Sequence, residues 1–394
     1  MSHHQSRRTR KSKQSWSFTG LATKAVLAYG TYKLASWAWS SYFQNDETDQ
    51  KDEGQQCKWN GSKRSGQNAY IEMERRQKLQ LQKCSHEIVI TLSSFLPTLQ
   101  SSIESFTNFS LATNELKLRR DDSNRTLTIR SKEDLWNEIK IKSMTRMIGT
   151  LYAHSVLYLV LTVQVHLLAG HVFRQRYPSW NGDSVKSTSR INVETQKVLL
   201  TQSFEYFFET GVLKLLTSVE RVIEQELKDW NVICEDNSLG RIDSELFQNG
   251  MDRVCKALEI FMDGKFFQEC ICPANYDQVL QDEIVIGMLD EVMDILESPS
   301  FDIAKNECLD VSFRVLKEEG WQKILFDSSS STTMFLANAV TRLKNVLMTF
   351  YSGEMDPIAK EWAIDTTIFP NPYVASIQSL QSIKDLGKDC FTFH

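Results

Sequence analysis

From Met147 to Phe173 the chain runs without one formal charge, closed off by Arg146 and Arg174. As an α-helix rising about 1.5 Å per residue, this stretch is roughly 40 Å long, enough to cross a hydrocarbon layer of about 30 Å. The helical pattern starts well upstream. Ser131-Lys132-Glu133-Asp134 reads as a capping box, with a hydroxyl and a carboxylate three residues apart serving the orphan amides of a helix start. Leu135, Ile139, Met144, Ile148 and Leu151 then recur near helical spacing, with Lys132, Lys140 and Lys142 between them and no Pro before Arg174. The spacing predicts one helix of about 44 residues, amphipathic in its first third and apolar all round afterwards. Two readings stay open: the central strut of a large helical bundle, or a membrane span.

With 394 residues, 41% of them hydrophobic, the chain is long enough to bury a substantial core. Charge is unevenly placed. Residues 1–33 hold Arg7, Arg8, Arg10, Lys11, Lys13, Lys24 and Lys33 and no acid, which leaves 38 basic against 50 acidic residues, a net of −12, in the remainder. So acidic a body is a poor nucleic-acid binder, because phosphate contacts need clustered Lys and Arg. Eight scattered cysteines, mostly inside helical patterns, read as reduced thiols and not as a disulfide framework.

Residues 1–15 form a polar, basic segment whose Arg7, Arg8, Arg10, Lys11 and Lys13 are candidate targeting residues. Residues 16–43 are apolar and aromatic, interrupted by Lys24 and Lys33, and read as a marginal transmembrane anchor flanked by interfacial aromatics. A mitochondrial transit peptide over residues 1–43, of a helical protein or enzyme, is the alternative, and an ordinary core helix behind a solvated tail is the third possibility. Residues 44–68 are too polar to pack and predict a flexible tether, and a helical domain is expected over 69–394. Within it the pattern predicts a long helix from about Tyr70 through Pro97, a polar connection over Leu111 to Arg130, the strut, and helical runs at about 194–229, 241–263, 274–297, 301–319, 331–352 and 371–386. No run of alternating apolar residues stands out. The fold class is all-α: a large bundle of long helices with one long central helix, preceded by the N-terminal anchor.

Catalytic motifs are missing from the sequence. No two glycines lie two apart, which rules out a G-x-G-x-x-G dinucleotide loop, and none lie four apart, which rules out a G-x-S-x-G nucleophile elbow. Gly61 and Gly66 have P-loop spacing, but Gln67-Asn68 follow where Lys and Ser/Thr must reach phosphates. Cys270-Ile-Cys272 is too tightly spaced for zinc, and Ile90 replaces the second histidine that His86-Glu87 would need. His154, His166 and His171 sit in the apolar stretch, where core hydrogen bonding explains them, and Gln164 and His171 share a face that a neighbouring helix would meet. No enzyme, metal site or cofactor is expected.

What remains is a surface. At the start of the strut, Lys132, Trp136, Ile139 and Lys140 stand at i, i+4, i+7 and i+8 and are expected on one face. A large aromatic between lysines where a bundle ends is a candidate hot spot for an amphipathic helix carrying acids beside its apolar stripe. The plainer reading has Trp136 capping the core while the lysines point to water.

Four blocks in matching order give the chain a family resemblance: Phe95-Leu96-Pro97-Thr98-Leu99; Leu135-Trp136-Asn137-Glu138-Ile139-Lys140-Ile141 through Thr145-Arg146; Val163-Gln164-Val165-His166-Leu167-Leu168-Ala169-Gly170; and Leu296-Glu297-Ser298-Pro299-Ser300-Phe301. Over about residues 70–320 the chain resembles the peroxisomal biogenesis factor 3, or peroxin-3, family. The resemblance implies a single anchor in the peroxisomal membrane, a cytosolic helical bundle and a buried Met147–Phe173 stretch. It also implies a role as docking receptor for peroxin-19, the chaperone of newly made peroxisomal membrane proteins, with no small-molecule substrate. The family's groove maps onto Trp136 with Leu135, Lys132, Ile139 and Lys140; Leu116 and Lys117 are expected as another wall, and Phe335 and Leu336 as outlying candidates. The positive-inside rule would put residues 7–13 in the cytosol instead, but that rule describes translocon-inserted proteins.

Overall fold

The computed structural model describes residues 64–121, 130–177, 193–234, 238–262, 264–276, 282–322, 325–326, 333–351 and 372–393. The anchor at 16–43, the basic residues 7–13 and most of the 44–68 tether lie outside them.

Helix α1 (Arg64–Phe106) takes in residues 64–68, which the sequence assigns to the tether; adding polar residues to an already packed helix gains one backbone hydrogen bond each. Helix α2 (Ser110–Asp121) replaces the expected polar connection. Asn108 Oδ1 accepts from the Ser110 backbone N–H at 2.9 Å, an Asx turn that starts the helix, and the Arg119–Glu115 pair at 3.0 Å supports it one turn apart. Its Ala112 is fully buried, so a single small side chain brings α2 onto the bundle.

The strut is α3 (Lys132–Arg176), a 45-residue helix. The predicted capping box forms: Ser131 Oγ accepts from the Asp134 N–H at 2.9 Å, and the Asp134 carboxylate accepts from the Ser131 N–H at 3.0 Å. Downstream follow α4 (Val193–Tyr206), a π-helical turn (Phe207–Gly211) and α5 (Val212–Glu226), one helical run with a wider turn inserted. Gly211 sits in that turn, where a Cβ would collide with the Cys270 carbonyl. Helices α6 (Ser244–Phe261), α7 (Gly264–Ile271), α8 (Glu283–Leu296), α9 (Pro299–Val315), α10 (Leu336–Tyr351), α11 (Pro372–Ser379) and α12 (Gln381–Thr392) complete the bundle. Among the described residues the fold is all-α apart from an isolated bridge between Ile233 and Leu239 and one short antiparallel ribbon, β1 (Arg241–Asp243) with β2 (Thr333–Phe335), in which Ile242 opposes Met334. Three-residue strands are too short to leave an alternation in the sequence.

Helices α1, α2, α5, α8, α9, α10 and α12 all pack on α3. The most apolar window of α3 is 94% buried by protein, so of the two readings of Met147–Phe173 the structure takes the core strut. Burying helix backbone this deeply needs small residues at close crossings: a Cβ on Gly170 would strike the Phe391 carbonyl, and one on Gly387 would come within 2.9 Å of the His166 ring. The strut's polar side chains are met locally. Thr162 donates to the Tyr158 carbonyl at 2.8 Å, and His166 Nδ1 lies 2.8 Å from the Thr162 carbonyl. His171 Nε2 meets the Glu291 carboxylate of α8 at 2.6 Å, while Gln164, on the same face, finds no partner among the described residues. Burial lowers His154 and His166 to about 4, so both are neutral.

Candidate docking furrow

The first third of α3 is covered less evenly than the rest, with exposed and half-buried residues between buried ones. Lys140 and Lys142 turn away from Trp136 there. Lys140 is buried, 2% exposed, and donates to the carbonyls of Leu227 at 3.0 Å and Trp230 at 2.8 Å, closing the end of α5. Burial lowers its pKa to about 8, partly offset by Asp229. Lys142 pairs with Glu220 at 2.6 Å and lies 4.5 Å over the Phe106 ring, binding α3 to α5 and α1.

On the other side of the same turns, α2, α3 and α10 leave an open furrow of about 560 Å³. Phe109, Thr113, Leu116, Lys117 and Arg119 form one wall; Trp136, Ile139, Ser143 and Arg146 form the floor, with the exposed Lys132 at its rim; Val340, Thr341 and Leu343 form the far wall. Trp136 and Leu116 are half-buried, with one face packed on the core and the other open. Ile139, Val340 and Leu343 are nearly covered and back the floor.

Among the described residues, four cations line the furrow and no carboxylate does. Two of the four are held by the fold. Arg146 donates to the Thr107 hydroxyl at 2.8 Å and carbonyl at 3.1 Å and stacks 5.2 Å over Phe109, fixing the turn between α1 and α2. Arg119 pairs with Glu115 and donates to the Arg130 carbonyl. Lys117 and Lys132 are exposed and have no acidic partner within salt-bridge distance among the described residues.

Of the residues expected from the sequence, Trp136, Ile139, Lys132, Leu116 and Lys117 come together at the furrow. Two do not. Lys140 stands one residue round the helix from Ile139, about 100° away, which turns it to the α5 side. Leu135 is fully buried and takes part in the core instead. Phe335 closes β2, stacked 5.3 Å from Arg241, and Leu336 is buried; the α10 residues that reach the furrow lie one and two turns later. Ser143 and Arg146 continue the Trp136–Ile139 face by seven-residue steps and were within reach of a helical wheel, whereas Val340, Thr341 and Leu343 come from some two hundred residues away and left no local signal.

The reverse face of these turns has the opposite character. A polar cleft of about 300 Å³ lies there between Glu133, Asp134, Asn137, Glu224 and Lys228, with Lys140 at its base.

Fold and furrow together define a class: an all-α protein whose buried central helix ends beside an apolar, cation-rimmed groove. The Peroxin-3 family model matches residues 44–177, the stretch that holds α1, α2 and α3. The chain is 21% identical over 347 residues to peroxisomal biogenesis factor 3 of Mus musculus and 22% identical over 340 residues to that of Homo sapiens, in each case covering 82% of this chain and 84% of the relative. A shorter match, 28% identical over 120 residues, covers 27% of this chain and 26% of the peroxisomal membrane protein PEX3 of Komagataella phaffii. Over residues 44–177 the chain resembles the peroxin-3 family, and the likeness to peroxisomal biogenesis factor 3 extends over most of its length.

Proposed function

We propose that this protein is a docking receptor that takes an amphipathic helix of peroxin-19 into the furrow between α2, α3 and α10. The likeness to peroxisomal biogenesis factor 3 supports a role in peroxisome biogenesis. The observation that carries the docking mechanism is the half-open indole of Trp136 on the floor of a furrow that, among the described residues, holds four cations and no acid. An amphipathic helix lays its apolar stripe in such a groove, and acids flanking the stripe meet Lys117 and Lys132. Trp136 and Ile139 on the floor and Leu116 on the wall give the furrow an apolar bed, which suits a role in binding. Residues 16–43 anchor it in the peroxisomal membrane, residues 7–13 aid its targeting, and the bundle faces the cytosol on the tether of residues 44–63.

The test is a titration of full-length protein with the N-terminal helix of peroxin-19. Trp136→Ala is expected to weaken binding by about 2–4 kcal/mol, the size of a central hot spot. Unchanged affinity with intact helicity would remove the furrow from the mechanism.

A further inference from the structure

We propose that the same furrow binds a long-chain fatty acid, with its carboxylate at Lys117 and Lys132 and its alkyl chain along Leu116 and Trp136, in competition with the docked helix. As a control on docking it rests on the function proposed above; as a ligand site it does not.

Volume, lining and charge each point to a one-chain anionic amphiphile. The furrow's 560 Å³ lies within the roughly 300–1,000 Å³ of small-molecule sites. Counting a methylene at roughly the 30 Å³ that a water molecule takes up in the liquid, sixteen carbons fill about 480 Å³, while two such chains need about 960 Å³. A single alkyl chain therefore matches the space more closely than the two chains of a diacyl lipid.

The open faces of Trp136 and Leu116 offer the chain an apolar bed, backed by Ile139 and Leu343. The charge of the lining favours a negatively charged ligand, because every charged side chain on it among the described residues is cationic. Arg119 and Arg146 are already committed to Glu115 and Thr107, which leaves the two exposed lysines for the head group. Their flexible stems let both ammonium groups reach one carboxylate at the mouth. A free inorganic anion would leave the apolar bed wet, and a long-chain alcohol would leave the lysines unmatched.

Full-length protein reconstituted in phosphatidylcholine vesicles is photolabelled with a diazirine analogue of palmitic acid, and adducts are mapped by mass spectrometry. Label is expected on the peptides holding Leu116 and Trp136. Lys117→Gln with Lys132→Gln, both exposed and so compatible with folding, should cut that label at least fivefold while leaving the faint labelling by a hexadecanol analogue unchanged. Excess peroxin-19 helix should suppress it.

Adducts spread over the helix surfaces, indifference to the lysine changes, or equal labelling of the furrow by a diacyl phospholipid analogue would overturn the proposal. If the peroxin-19 helix binds and the acid leaves no label, the fatty-acid site falls and helix docking stands. If the acid labels and the helix neither binds nor competes, helix docking falls and with it the regulatory part.

Discussion

The two ends of α3 face different surroundings on one uninterrupted helix. From Met147 onward the side chains meet other helices in every direction; among the polar ones His154 is kept neutral and His166 is bonded within the core, while Gln164 has no partner among the described residues. From Lys132 to Arg146 the same helix has two unlike sides: Lys140 is sealed against α5, while Trp136 lies open under a furrow. The apolar stretch makes the bundle; the mixed stretch makes the site. An open aromatic face on a helix held so firmly further along is preorganised for a partner, since little ordering remains to be done on binding.

This contrast breaks most readily through the core. Leu157→Ala empties a fully buried position and is expected to cost about 2–5 kcal/mol of unfolding free energy in a denaturant titration. Affinity for the peroxin-19 helix, measured below the unfolding transition, should stay as it was. Affinity that falls in step with stability would mean that the two stretches are not separable.

Lys140→Met sharpens the contrast between the two sides of the mixed stretch. Two carbonyls lose their donor, at about 1–3 kcal/mol of stability, and binding in the furrow should not change. The same lysine sets a pH dependence. Its folded value is lowered to about 8 from 10.5, so between those values the unfolded chain holds more protons and stability rises with pH; below about 8 both states are protonated and the slope vanishes. Unfolding titrations from pH 7 to 10.5 should show that rise in the native chain and its reduction in Lys140→Met.

Ser131→Ala removes the N-cap of α3, for about 1 kcal/mol of stability seen as a lowered unfolding midpoint. The Asp134 carboxyl, held low chiefly by its hydrogen bond with Ser131, should titrate at higher pH in that variant. Smallest is Lys132→Gln. A rim charge is expected to slow association and flatten its salt dependence while moving the equilibrium by less than about 1 kcal/mol, a difference stopped-flow mixing at two ionic strengths resolves.

Much of this was legible in the sequence because it is local. The capping box, the length of α3, and the common face of Lys132, Trp136 and Ile139 follow from spacing along one helix. Whether Met147–Phe173 meets protein or lipid does not, since an all-round apolar helix suits both, and only the helices packed on it decide. Lys140 shows the same limit on a smaller scale. It lies on the flank of the expected face, and the Leu227 and Trp230 carbonyls that capture it come from a turn nearly ninety residues away. Helix α2 was hidden by its polarity, and the far wall from Val340 to Leu343 by its distance in sequence.

Crosslinking from the two sides of α3 tests the furrow most directly. A photo-crosslinking residue is substituted at Lys132, on the furrow rim, and separately at Lys228, on the rim of the reverse cleft, in full-length protein on peroxisomal membranes. Position 132 should capture peroxin-19 and position 228 should not. Capture from 228 alone, or equally from both, would contradict docking in the furrow.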